Sequence, residues 1–167
     1  VALIHVPTGK YLSTNRQKYN LGPSNQQYMA ICNGQEIDLK NDVWIILGAN
    51  NKKAVNIENP VSFNTVIGLK HQATEVCLHS HDMNYGKVTP KSHYQQVTIC
   101  PGRNSDDNWE IRSFGSGAFC NYLRDDDTIS FFHITTSKPA LYSHNVLLDN
   151  GCQEVCCHGY GSDENNK

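Results

Sequence analysis

The strongest constraint on how this chain folds is an internal repeat that occurs three times. Three histidines, His5, His71 and His133, stand 66 and 62 residues apart, and a threonine follows each of them three residues later. A recurring unit of this size is one supersecondary structure, which cannot bury its hydrophobic face alone and must pack against its copies. The second copy preserves most of the pattern: His71-x-x-Thr74, Leu78-His79-Ser80-His81, Gln95-Gln96-Val97-Thr98-Ile99 and Asp107-Asn108-Trp109.

Each copy predicts short β-strands. Apolar residues alternate just before each repeated histidine, as Ile67 and Leu69 do, and alternation with a period of two is typical of a half-buried strand. No segment keeps the i, i+3, i+4, i+7 pattern of an amphipathic helix for long. The sequence therefore predicts an all-β chain, folded as a single domain over 1–167. Its three four-stranded repeats cover about 1–49, 61–114 and 122–167.

Three four-stranded units can close into a barrel with threefold pseudosymmetry, the β-trefoil. Closure removes exposed strand edges, and a propeller usually needs at least four blades. Trp44 and Trp109 mark the fourth strands of the first two copies, whereas the third copy has Asp163-Glu164-Asn165-Asn166-Lys167 there. We therefore expect eleven of the twelve trefoil strands, with the closing strand of the third repeat missing from this sequence.

Composition and motifs exclude several classes of function. The net charge of −2 gives no electrostatic reason to bind nucleic acid, and no apolar run approaches the roughly 18 residues of a membrane-spanning helix. The chain has no P-loop, Gly-x-Ser-x-Gly or Gly-x-Gly-x-x-Gly motif. Cys156-Cys157-His158 lacks a second pair at a metal-ligand spacing, so we expect ordinary buried thiols there. We predict no catalytic residue, metal site or cofactor.

The repeated motifs resemble a known family, the MIR domain, over essentially the whole chain. The resemblance is carried by Leu-x-His-x-x-Thr, Leu-His-Ser-His, Gln-Gln-Val-Thr and Asp-Asn-Trp in the second copy. The third copy, with Leu141-Tyr142-Ser143-His144 and Gln153-Glu154-Val155, is similar, and the first copy is the most divergent. The pattern is most similar to the branch of protein O-mannosyltransferases and stromal-cell-derived-factor-2 proteins.

This resemblance implies a β-trefoil that serves as a non-catalytic accessory module. Its expected partners are a protein or glycan acceptor, or the catalytic or chaperone part of a larger complex. Its expected location is the endoplasmic reticulum lumen or another part of the secretory pathway. Two alternatives stay open: a stand-alone carbohydrate-binding trefoil, and a regulatory or structural module of a larger protein in the cytoplasm.

The repetition of the polar residues favours a structural role for them over a role in catalysis or ligand binding. His79 and His81 share one face of a strand and could contact a ligand or a metal, but the matching residues, Asn15 and His144, favour a bond to the following turn. We interpret three dipeptides as the first residues of the third strands, with side chains that hydrogen-bond to neighbouring strands: Gln26-Gln27, Gln95-Gln96 and Gln153-Glu154. Trp44 and Trp109 are expected in the core.

The predicted ligand site is the loop between the second and third strands of copies two and three. This loop differs between copies, and loops on a rigid scaffold carry binding more often than the scaffold does. The residues predicted to contact a ligand are His79, His81, Tyr85, Lys87, His93, Gln95, Tyr142, His144 and Gln153.

Overall fold

The computed structural model describes residues 1–19, 27–50, 60–82, 88–115, 120–137 and 139–167, and this part of the chain is built from β-strands. Two short 3₁₀ turns, Ser105–Asp107 and Glu164–Asn166, accompany them. Within the described ranges, no helix has the length and apolarity needed to cross a membrane. The strands are β1 (Ile4–His5), β2 (Lys10–Ser13), β3 (Tyr28–Met29), β4 (Ile31–Asn33), β5 (Trp44–Gly48), β6 (Val66–His71), β7 (Cys77–Ser80), β8 (Gln95–Cys100), β9 (Trp109–Ser113), β10 (Ile129–His133), β11 (Leu141–Leu147) and β12 (Gln153–Cys157).

The strands pair with threefold regularity. The fourth strand of one repeat forms a hairpin with the first strand of the next, so β5 pairs with β6 and β9 pairs with β10. The third strands of all three repeats meet one another, because β12 pairs with β4 and β8, and β3 pairs with β8. This arrangement confirms the all-β trefoil predicted from the repeats.

The described residues contain no closing strand for the third repeat, as predicted. Strands β3 and β4 are separated only by Ala30 and together occupy the third-strand place of the first repeat. Within the described residues, the twelve strand segments therefore fill eleven of the twelve trefoil places. In the described stretch 158–167, which follows β12, the chain forms a 3₁₀ turn and no strand.

Two tryptophans organise the core. Trp44 and Trp109 are almost fully buried, and the indole Nε1 of each donates a hydrogen bond to a strand carbonyl: Leu12 O at 2.9 Å and Leu78 O at 3.1 Å. The apolar contacts of such a ring are its main contribution to stability, and the N–H bond satisfies its one polar atom. In the third repeat the leucine at the matching place, Leu141, is only half-buried.

The repeated histidines are structural, as expected. Each imidazole Nδ1 bonds the threonine hydroxyl three residues later, which closes the turn after the first strand of its repeat. The Nδ1–Oγ1 distances are 2.8 Å for His5–Thr8, 2.9 Å for His71–Thr74 and 2.6 Å for His133–Thr136.

Candidate functional site

The register of β8 and β12 brings two distant aromatic residues together. Gln95 lies opposite Cys157 in this antiparallel pair, so the residues one step beyond, Tyr94 and His158, also face each other. Their rings stack with centroids 3.8 Å apart and planes at 14°. Tyr94 is half-buried and His158 is exposed, so the stack lies at the surface.

Strand β11 adds two more rings to this stack. Tyr142 pairs with Cys156 of β12, and its ring lies edge-on to Tyr94 and to His158, with centroids 6.1 Å and 5.3 Å away. The His144 ring is 5.5 Å from Tyr142. We call Tyr94, Tyr142, His144 and His158 the aromatic cluster. T-shaped and stacked pairs at these distances are favourable for aromatic rings, and they hold the four rings in one orientation.

The Tyr142 hydroxyl is a fixed polar group within the cluster. It accepts a hydrogen bond from Asn165 Nδ2 at 3.3 Å. Burial of the ring is the main cause that raises the pKa of Tyr142, with a smaller contribution from the negative charge of Asp163. The hydroxyl therefore keeps its proton at neutral pH and can donate a hydrogen bond.

A buried carboxylate anchors the loop that carries Tyr94. Glu154 of β12 has no exposed surface, and its two oxygens accept hydrogen bonds from Lys91 N at 2.9 Å and Ser92 N at 3.1 Å. His144 Nε2 lies 3.4 Å from the same carboxylate. Because a strand residue of the third repeat bonds the loop backbone of the second, the rings of both repeats are fixed relative to each other.

An open groove of about 460 Å³ continues from the aromatic cluster. His158 belongs to both, and Tyr160, which is 81% exposed, stands at the groove. Asp82, Gln95 and Thr136 supply polar groups along it. An exposed ring beside carboxylate, amide and hydroxyl groups suits a ligand with both apolar faces and hydroxyl or amide groups, such as a glycan or a polar peptide.

Three of the nine residues predicted to bind a ligand lie in this region: Gln95, Tyr142 and His144. Gln95 also has a structural role, since its Nε2 donates to Ser80 Oγ and Thr136 Oγ1, each at 2.7 Å. His93 is an exposed residue of the same loop and has a left-handed backbone, with φ of 59°. Tyr85 and Lys87 lie outside the described residues.

The other three predicted residues lie elsewhere. Gln153 is buried, and its Nε2 donates to Ser143 Oγ at 2.8 Å, so it is part of the scaffold. His79 is buried against Asp107, with 2.7 Å between Nδ1 and Oδ1. Half-buried His81 bonds Gln27 Oε1 through Nε2 at 3.0 Å.

His79 and His81 form a second polar cluster together with Asp106. Their rings are 4.3 Å apart, and one potential ligand atom from each of the three residues lies within 4.8 Å of the others. Zinc in structural sites takes four ligands at about 2.0–2.3 Å. Three side chains at this spacing, with both imidazoles already bonded to protein groups, do not define a metal centre by themselves.

Two details of the predicted strand ends need correction. Gln95 lies opposite Cys157 and Gln153 opposite Cys32, and the residue in the same position of the first repeat is Tyr28, opposite Ile99. The prediction that Gln26-Gln27 occupies the same position as Gln95-Gln96 and Gln153-Glu154 is therefore wrong. Asn15 does bond the next turn, since its Oδ1 accepts from Gln17 N at 3.0 Å, but the contacts described for His81 and His144 are with side chains.

The cysteines next to the cluster are poor nucleophiles. Cys156 and Cys157 are buried, and burial raises the pKa of Cys157 to about 12 and that of Cys156 as well. A thiol rather than a thiolate is present at neutral pH, and the thiol is the unreactive form.

The predicted loop runs from His81 through Gln95 and so includes Asp82 and Tyr94, but His158 and Tyr160 were not predicted. Tyr94 directly precedes the Gln95-Gln96 motif and His158 directly follows Cys157, so both stand at predicted ends of third strands. In a trefoil, third strands of neighbouring repeats pair, and this rule would have placed Tyr94 near His158. No comparable sequence signal marks Tyr160.

Comparisons with known proteins agree with this fold. No family model matches the chain. A stromal cell-derived factor 2-like protein from Dictyostelium discoideum is 27% identical over 117 residues, which are 68% of this chain and 52% of that protein. The chain thus spans about half the length of the curated relative that it matches.

Three solved structures superpose closely. The SDF2-like protein from Arabidopsis thaliana has a TM-score of 0.83 at 23% identity, over 99% of this chain and 87% of that one. A Caenorhabditis elegans protein of unknown function has a TM-score of 0.80 at 21% identity, over 94% of this chain and 84% of that one. The Saccharomyces cerevisiae protein O-mannosyltransferase Pmt1-Pmt2 complex, bound to the sugar donor, has 0.79 at 24% identity, over 99% of this chain and 23% of that one.

These matches show the class of fold. The fold is the β-trefoil found in SDF2-like proteins and in one part of the mannosyltransferase chain. The resemblance to MIR-type domains of this branch, predicted from the repeated motifs, is confirmed.

Proposed function

We propose that this chain is a non-catalytic accessory module of the secretory pathway that binds protein or glycan acceptors through the aromatic cluster and its groove. The whole of 1–167 acts as one binding unit, and the endoplasmic reticulum lumen is its proposed location. The likeness to an SDF2-like protein and to part of a protein O-mannosyltransferase supports this class of function.

The aromatic cluster is the observation that carries the proposal. Tyr94, Tyr142 and His158 present ring faces and edges at the surface, held by contacts across three strands. Rigid rings bind with little loss of conformational entropy, and sugar rings or peptide side chains can pack on them. The adjoining groove places the carboxylate of Asp82 where it can bond hydroxyl or amide groups of the same ligand.

A binding screen with matched variants tests the proposal. Mannosylated peptides, unmodified peptides of an unfolded protein and free glycans are titrated into the chain. We expect at least one of these ligand classes to bind and Tyr94→Ala or His158→Ala to weaken that binding about tenfold or more. Tyr122→Ala is the control, because Tyr122 is a 49% exposed tyrosine that lines a different cavity.

The screen also separates the two forms of the proposal. Binding of free glycans without peptide supports a stand-alone carbohydrate-binding trefoil, which the exposed Tyr160 beside polar groove residues favours. Binding only of peptides or glycopeptides supports an acceptor-presenting module. If no ligand of any class binds, or if Tyr122→Ala weakens binding as much as Tyr94→Ala, the proposed site is wrong.

A further inference from the structure

The groups around the second polar cluster set the protonation of its two imidazoles. His79 Nδ1–H donates to the Asp107 carboxylate at 2.7 Å, because a carboxylate can only accept. His81 Nε2–H donates to Gln27 Oε1 at 3.0 Å. This Gln27 atom is the acceptor, since the amide nitrogen of the same side chain donates to Cys100 Sγ at 3.4 Å. Each neutral imidazole therefore carries its lone pair on the other nitrogen: Nε2 of His79 and Nδ1 of His81.

This arrangement is the one that metal-binding histidines have in proteins. A histidine that binds a metal almost always donates its second N–H to a carboxylate or a carbonyl group, which fixes the ring and makes the ligating nitrogen more basic. The carboxylate of Asp107 and the amide carbonyl of Gln27 do this for His79 and His81. The hydrogen bonds that occupy one nitrogen of each ring thus prepare the other nitrogen to bind an ion.

Asp106 adds a carboxylate that the scaffold does not use. Its backbone N–H donates to Asn104 Oδ1 at 2.7 Å, and its backbone carbonyl accepts from His133 Nε2 at 2.9 Å. Among the contacts of the described residues, none is a hydrogen bond or an ion pair to the half-buried Asp106 carboxylate. A fixed backbone therefore holds an unpaired anionic oxygen beside the two imidazoles.

The spacing of the three groups suits a single small ion. One potential ligand atom from each of His79, His81 and Asp106 lies within 4.8 Å of the other two. A tetrahedral ion with bonds of about 2.0–2.2 Å places its ligands about 3.3–3.6 Å apart, so side-chain shifts of roughly 1 Å bring all three onto one ion. The carboxylates of Asp106 and Asp107 would balance the charge of a divalent ion in this partly buried place.

The other two repeats lack these three ligands, so the trefoil does not require them. Asn41 O accepts from His71 Nε2 at 3.1 Å, just as Asp106 O accepts from His133 Nε2. The shared contact uses a backbone carbonyl and needs no carboxylate. The places of His79, His81 and Asp106 hold other residues elsewhere: Ser13, Asn15 and Asn41 in the first repeat, and Tyr142, His144 and Asn165 in the third.

We infer that His79, His81 and Asp106 bind a divalent transition-metal ion, for which Zn²⁺ is the best match. Imidazole and carboxylate are ordinary zinc ligands, and three protein ligands leave a fourth position open for water or for an oxygen of a bound molecule. Asp107 and Gln27 are positioning residues that orient the two rings. The inference does not depend on ligand binding at the aromatic cluster.

Calorimetric titration of the metal-free, reduced chain with Zn²⁺ tests the inference. We expect one ion to bind per chain and the melting temperature to rise. Asp106→Asn and His81→Asn should each weaken zinc binding about tenfold or more. Both variants should fold, because asparagine occupies the same places in the first repeat. The matched controls, Asp125→Asn and His93→Asn, change exposed residues outside the cluster and should leave zinc affinity unchanged.

Nuclear magnetic resonance of the imidazole nitrogens and a Co²⁺ spectrum locate the ion in the unaltered chain. The signals of His79 Nε2 and His81 Nδ1 should shift when Zn²⁺ is added, while those of His71 and His133 stay in place. Bound Co²⁺ should show no charge-transfer band from a thiolate. No zinc binding at about 1 mM, unchanged affinity in Asp106→Asn and His81→Asn, equal losses in the controls, or a thiolate band would each overturn the inference.

Discussion

Glu154 connects the scaffold to the candidate site, and its replacement by glutamine is the most informative single perturbation. The side chain is fully buried in β12 and accepts hydrogen bonds from the backbone N–H groups of Lys91 and Ser92. Glutamine has nearly the same size and shape but only one carbonyl oxygen. Its amide nitrogen is a donor, so it cannot replace the second acceptor.

The expected loss of stability follows from that one missing acceptor. One of the two loop N–H groups would face an N–H₂ group, and an unsatisfied, partly buried donor costs about 1–3 kcal/mol. The remaining bond also becomes neutral and weaker, because hydrogen bonds to a charged acceptor are stronger. We therefore expect Glu154→Gln to lower the free energy of unfolding by about 1–3 kcal/mol.

Urea denaturation and amide exchange together measure this effect. The Lys91 and Ser92 amides should exchange faster in Glu154→Gln, and ligand binding at the aromatic cluster should weaken because the loop that carries Tyr94 is released. Glu36→Gln, a change at an exposed carboxylate, is the control and should lie within about 0.5 kcal/mol of the unaltered chain. If Glu154→Gln is as stable as this control and both amides keep their protection, the anchoring role of Glu154 is refuted.

Three further predictions concern the scaffold. Leu78→Ala, at a fully buried core position, should lower the free energy of unfolding by about 2–5 kcal/mol in urea denaturation. Gly161→Ala should cost clearly more than Gly102→Ala: both glycines have positive φ, but only at Gly161 would the added methyl group meet a side chain, the Phe132 ring. Burial lowers the pKa of His133, so the unfolded state, with a histidine pKa near 6.5, takes up protons first as the pH falls. The stability that neutral, buried His133 contributes is therefore complete above about pH 6.5 and is lost as the pH falls below it. The free energy of unfolding, measured in urea at several pH values, should depend less steeply on pH in His133→Gln.

The repeat made the fold predictable because each copy constrains the others. The three histidine-threonine turns and the two buried tryptophans are identical in role, so an error in one copy is exposed by comparison with the next. The half-burial of Leu141 was not visible in the sequence, where it matches Leu12 and Leu78. Half-burial depends on what packs around the leucine and not on the leucine itself.

Strand register was the point at which sequence reasoning failed. The Gln26-Gln27 pair looks like Gln95-Gln96, yet Tyr28 occupies the equivalent place. The offset is two residues, which keeps each side chain on the same face of the strand, so the alternation of apolar and polar residues does not reveal it. The contribution of His158 to the aromatic cluster was missed because only the pairing of β8 with β12 brings it to Tyr94.

The departure from threefold symmetry is the strongest argument that the aromatic cluster has a function. The register gives Tyr94 and Tyr142 clear counterparts at the boundary of the first two repeats: Gln27 and His79. There, Gln27 Oε1 bonds His81 Nε2, and Gln27 Nε2 donates to Cys100 Sγ. The trefoil therefore does not require two tyrosines at such a boundary. Only one of the three equivalent boundaries, that of β8 with β12, carries these rings. A feature that folding does not need at the other two, at the surface and on an anchored loop, is better explained by a ligand than by folding.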